Sequence, residues 1–124
     1  MRLGLLHFLT GMLLLLALFP SNGLAQEVVV VQSLRVRPYE DAVEGFRTSS
    51  GTAIHKTLIV EETPDVAARV RAMKPDLVFA VGGEALRRLA DLADVPVVYA
   101  MVLNPRKIVA DAPNVTGISM NIPA

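Results

Sequence analysis

Asp76-Leu77-Val78-Phe79-Ala80-Val81-Gly82-Gly83-Glu84 is the stretch whose reading decides the fold. Its unbroken apolar run is the pattern of a strand buried on both faces of a parallel sheet. The glycine pair makes the turn. Glu84 then opens a helix expected to run to Ala93, with Leu86, Leu89, Ala90 and Ala93 on one stripe. Upstream, Val28-Val29-Val30-Val31 repeats the buried-strand pattern, and downstream Pro96 to Val102 repeats it again.

Helical periods fill the gaps. Tyr39, Val43 and Phe46 recur at i, i+4, i+7, with Pro38 near the helix start and Gly51 at its end. Ala53 to Val60 reads as a strand. Thr63 is placed to cap the next helix, with Pro64 at its first position and Asp65 in its first turn. Val66, Val70 and Met73 form that helix's stripe, and Lys74-Pro75 stops it. Residues 106–113 carry only a poor signal for a short helical turn. Val115 to Met120 reads as a fifth strand, with Thr116, Ile118 and Met120 alternating against Val115, Gly117 and Ser119. The alternation of strands and helices predicts an α/β fold: a doubly wound parallel sheet of about five strands, with right-handed crossovers and helices on both faces.

The first 25 residues read differently. Arg2 is followed by an apolar run of roughly 15 residues, ended by Pro20-Ser21-Asn22-Gly23. Gly23-Leu24-Ala25 sets small residues at −3 and −1 of a cleavage site. The run is shorter than the ~20 residues that span a bilayer, which favours a cleaved secretory signal (1–25) over an uncleaved anchor. The mature chain, 26–124, is then expected to be periplasmic or secreted, with no stable membrane insertion.

Composition narrows the function. The 124 residues hold 12 basic and 12 acidic side chains and no Cys. Losing Arg2 with the signal leaves the mature chain one charge acidic, which argues against nucleic acid as a partner. Without cysteine there are no disulfides, thiolate metal sites or Cys nucleophile. His7 leaves with the signal, and His55 has no ligand set around it in sequence, so no metal is expected. There is no Ser/His/Asp constellation, no Gly-x-Ser-x-Gly and no phosphate-binding glycine motif. The chain is expected not to be an enzyme and to need no cofactor.

Ligands of parallel sheets bind outside the carboxyl ends of the strands. That singles out Gln32–Arg37, Gly82–Glu84 and Leu103–Pro105. Ser33 offers a hydroxyl that serves a ligand, a helix cap or water. Arg35 and Arg37 suit an acidic ligand or solvent. Asn104 presents an amide or starts a turn. Gly82-Gly83 allows close backbone approach at a helix start, or is simply a tight turn, and Glu84 there works against an anion. Asn114-Val115-Thr116 matches a glycosylation sequon.

Several segments together resemble a known family. Lys74–Gly82 is similar to its "kPDlivavG" segment, Val95–Ala100 to "iPVvfa", and Asn114–Ser119 to "NvTGvs". Asn104-Pro105 stands where that family has Asp-Pro, and Gly45-Phe46 where it has a Gly-Phe in its first helix. The set, in order over most of residues 27–122, resembles the extracytoplasmic substrate-binding proteins of ABC importers, in the branch with aromatic amino-acid binders. The resemblance implies a type I periplasmic binding protein fold, with flavodoxin-like strand order, and a two-lobed protein closing on a small molecule such as an amino acid. It implies that this chain holds the N-terminal lobe alone, the second lobe being absent, with an ABC permease as partner of any two-lobed form. It carries ligand-facing roles to Ser33, Leu34, Gly82, Gly83, Glu84 and Asn104. Glu84 departs from the small or hydroxyl residue usual there, and Asn104 from the aspartate. The competing readings are a stand-alone periplasmic interaction or sensing module and a non-functional fragment.

Overall fold

The computed structural model describes residues 2–17 and 26–120. A helix α1 covers Arg2–Ala17, and no described helix is long and apolar enough to cross a membrane. The expected cleavage site at Gly23-Leu24-Ala25 and the breaker Pro20–Gly23 lie outside the described residues. Five strands follow: β1 Val28–Gln32, β2 Ile54–Ile59, β3 Leu77–Val81, β4 Val97–Val102 and β5 Val115–Ser119. Three helices alternate with them: α2 Arg37–Ser50, α3 Val66–Met73 and α4 Gly83–Leu89. All strand pairs are parallel, in the order β2-β1-β3-β4-β5. This is the doubly wound α/β fold expected from the sequence, in flavodoxin-like order.

The valine run explains why β1 is central. Val28 to Val31 are at most 1% exposed, because β2 and β3 flank the strand and helices lie above and below it. Burying each such side chain contributes ~1.5–3 kcal/mol. On one face Val29, Val31, Val78, Ala80 and Val97 meet Val66 and Val70 of α3 and Leu86 and Leu89 of α4. On the other, Val30, Phe79 and Val81 meet Tyr39, Ala42, Val43 and Phe46 of α2. Phe46 stacks on Phe79 with ring centroids 4.4 Å apart.

That second face is only half covered. Among the described residues α2 is the one helix packed on it, chiefly over β3 and β4. Val98, Ala100 and Met101 of β4 are half-buried, and Ile118 of β5 is 75% exposed. The alternation along β5 is as expected, with Val115 turned to the packed face and Ile118 to the open one.

Several boundaries differ from the sequence reading. Val60 leaves β2 for a 3-10 turn, Val60–Glu62. The cap of α3 is Asp65, not Thr63: Asp65 adopts a left-handed conformation (φ 48°) and accepts from the Ala68 N–H at 3.3 Å. Pro64 therefore precedes the helix instead of opening it. Helix α4 stops at Leu89, so the stripe does not continue to Ala93, which is exposed. A turn bonded from Leu92 N–H to Leu89 O brings Leu92 and Val95 into the core instead. Residues 105–107 form a 3-10 turn. A bulge near the end of β4 places Met101 at φ 60°.

Candidate functional site

The carboxyl edge of the sheet carries the predicted residues. Ser33 follows β1 and is 4% exposed. Its hydroxyl donates to Val81 O (3.0 Å) and accepts from the Ala85 N–H (2.8 Å). Gly82, the cap position of α4, has no side chain to accept from the first turn, and Ser33 does so from the neighbouring strand. Of the three roles open to this hydroxyl, the structure displays the helix cap.

Gly82 is required where it stands. Its φ is +92°, and a Cβ there would lie 2.5 Å from Ser33 Oγ and 3.0 Å from Tyr39 Cε2. Ser33, Gly82 and Tyr39 thus close the gap between the ends of β1 and β3. That gap is the point where the connections leave for opposite faces, the usual crevice in such sheets. Gly83, one residue on, is half-buried, with Ile108 Cδ1 3.8 Å from where its Cβ would be.

Leu34 and Asn104 lie further out. Leu34 is exposed, its carbonyl accepting from Gln32 Nε2 at 2.6 Å. Asn104 is exposed and left-handed (φ 48°), and its carbonyl accepts from the Lys107 N–H at 3.0 Å, so its backbone starts the 3-10 turn. Glu84 points along its own helix, paired with Arg87 and with Arg88 at 3.0 Å. The hydrogen bond from Arg88 is the largest influence and, with the help of Arg87, outweighs the opposing effect of burial to hold its carboxyl below the ordinary value of 4.5. The structure therefore joins Ser33, Gly82 and Gly83 in one packed junction, with Leu34, Glu84 and Asn104 around it.

Three features of this edge go beyond what the strand-end reading assigned. Gln32 is buried and stiffens the turn after β1 through its bond to Leu34. Arg35 makes a two-pronged pair with Glu62 (2.6 and 2.9 Å), tying the β1–α2 loop to the turn after β2. The hydrogen bond raises the guanidinium's pKa and lowers that of the Glu62 carboxyl. A cleft of about 280 Å³ lies beside them, between Val60–Val66 and Arg88. Its apolar, acidic and basic walls had no motif to announce them.

Elsewhere, the Asn114 amide donates to both Leu92 O and Val95 O (2.8 Å to the latter), holding the α4–β4 connection on the start of β5. Both donors of the sequon's amide are thereby occupied. Among the described residues no group of three or more His, Cys, Asp or Glu is placed to hold a metal ion.

No family model, curated protein or solved structure matches the chain significantly.

Proposed function

We propose that the chain is the N-terminal lobe of an extracytoplasmic solute-binding component of an ABC-type importer for a small molecule such as an amino acid. The observation that carries the reading is the parallel sheet in the order β2-β1-β3-β4-β5, which gathers the loops of Leu34, Gly83 and Asn104 on one edge. Side chains and backbone groups from three loops there offer one wall of a closing pocket. The ordered resemblance in sequence and the signal-like N-terminus agree with it. Leu34, Gly83, Glu84 and Asn104 would face the ligand. Ser33 and Gly82, packed beneath, would keep that wall in shape.

Calorimetry and thermal shift with a panel of amino acids and their amides test this reading on a two-lobed form. A ligand at 100 times its Kd adds ~2.7 kcal/mol of stability and raises Tm accordingly. Silence across the panel from a folded two-lobed protein counts against transport.

A second reading, a stand-alone interaction module, is favoured by the open strip of sheet at the β5 edge, where Ile118 stands clear of the core. A mature protein that stays monomeric and captures no partner from periplasmic extract removes its support.

A further inference from the structure

We infer that the exported chain begins with pyroglutamate, formed by cyclisation of Gln26. The inference rests on the export reading, with cleavage after Ala25, which makes Gln26 the first residue.

The structure shows what such a terminus meets. The Glu27 N–H donates to Asp76 Oδ2 at 2.8 Å. The Glu27 carbonyl accepts from the N–H groups of Asp76 (2.9 Å) and Leu77 (3.3 Å). Val28, next along, is 1% exposed inside β1. The fold therefore grips the chain from Glu27 onward, and Gln26 stands one residue outside it, exposed.

Two consequences follow from that boundary. Gln26 is exposed, and rotation about its own bonds alone brings its amine to its side-chain carbonyl carbon. Reaction within one residue has the advantage of proximity that intramolecular steps enjoy. An exopeptidase, in contrast, needs several residues drawn out in extended form. Three hydrogen bonds and a buried valine keep all but one residue in the fold, so Gln26 persists as the terminus.

The chemistry balances without a co-reactant. The unprotonated α-amine, whose population grows above its pKa of about 7.7–8, attacks Cδ of the Gln26 carboxamide. The N–Cδ bond forms, the Cδ–Nε2 bond breaks, and ammonia leaves with the amine's surplus proton. The lactam is neutral, so the α-ammonium charge disappears from beside the carboxylates of Glu27 and Asp76. Cyclisation runs faster as pH rises through the amine's pKa.

The experiment is intact mass and N-terminal sequencing of protein exported from the full precursor, followed through incubation at neutral pH. The expected result is the mass of residues 26–124 less one ammonia. Sequencing is blocked until pyroglutamyl aminopeptidase is added. Gln26→Ala, processed at the same bond, keeps its full mass and an open terminus. A chain that begins at Gln26 and keeps its ammonia throughout overturns the inference and leaves the export reading standing. An unprocessed precursor, or a terminus at another residue, overturns both, and the mass tells the cases apart.

Discussion

Replacing Ser33 by alanine tests the junction at the carboxyl edge most directly. The change removes an oxygen that joins Val81 O to the Ala85 N–H, at 3.0 and 2.8 Å. Ser33 is 4% exposed and Ala85 0%, so water does not take the oxygen's place. A buried donor left without a partner costs ~1–3 kcal/mol. A lost helix cap costs ~1 kcal/mol, and this is the same bond seen from the helix. The expected loss is about 2 kcal/mol, a large share of the ~5–15 kcal/mol typical of a domain. At ~4–8 °C per kcal/mol, Tm falls by ~8–16 °C. Urea and thermal unfolding of residues 26–124, followed by circular dichroism, measure the free-energy loss and the fall in Tm. Gly82→Ala adds overlap with Ser33 Oγ and a Cβ at φ +92°, at a cost of about 2–4 kcal/mol. In the double variant the Oγ overlap is gone, but the Ser33 Cβ remains 2.9 Å away. The double variant should therefore cost less than the two singles together, by ~0.5 kcal/mol or more. A Ser33→Ala protein within ~0.5 kcal/mol of wild type, or strict additivity in the cycle, would refute the reasoning.

Other perturbations probe separate parts of the molecule. At Gly117 an added Cβ would sit 2.2 Å from Tyr99 O and 2.5 Å from Tyr99 Cγ, so Gly117→Ala should loosen β5 from β4, seen as faster hydrogen exchange at 115–119. Asn114→Ala orphans the carbonyls of Leu92 and Val95 and should lower stability by ~1–2 kcal/mol in urea titration. The depressed carboxyl of Glu84 contributes stability that is present above its ordinary 4.5 and lost as pH falls through its lower folded value. Because the pair is largely exposed, Glu84→Gln should cost only ~0.5 kcal/mol at neutral pH, and the difference in Tm from wild type should close in acid. Ile118→Lys should leave stability within ~0.5 kcal/mol while reducing dye binding to exposed apolar surface.

The strands were legible because a parallel sheet demands continuous apolar runs, and Val28–Val31 and Leu77–Val81 have nothing else to be. The helix stops at Gly51 and Lys74-Pro75 were legible for a local reason too: both Gly51 and Lys74 adopt the left-handed cap conformation. Thr63 misled because either of two cap-forming residues fits the sequence, and only the backbone angle at Asp65 separates them. The burial of Leu92 and Val95 was hidden because it depends on where α4 stops. The role displayed by Ser33 was out of reach for a deeper reason. Its partner Ala85 lies 52 residues away, and the two meet only because β1 and β3 are neighbours. The Arg35–Glu62 pair likewise appears only once β2 is placed beside β1.

The place of β1 in the sheet also governs when the chain can fold. It is the first strand in sequence, yet it lies between β2 and β3, and the bond from Glu27 to Asp76 spans 49 residues. Among the described residues there are no hairpins to form early, because every strand pair is parallel and every closure is long. Such topologies pay loop-closure entropy before contacts repay it, and they fold slowly. A chain made N-terminus first therefore presents the fully buried valine run of β1 while the strands that shield it are still to come. It cannot close the centre of the sheet until β3 has been made. Over that interval the valine run is the segment most in need of a chaperone's cover.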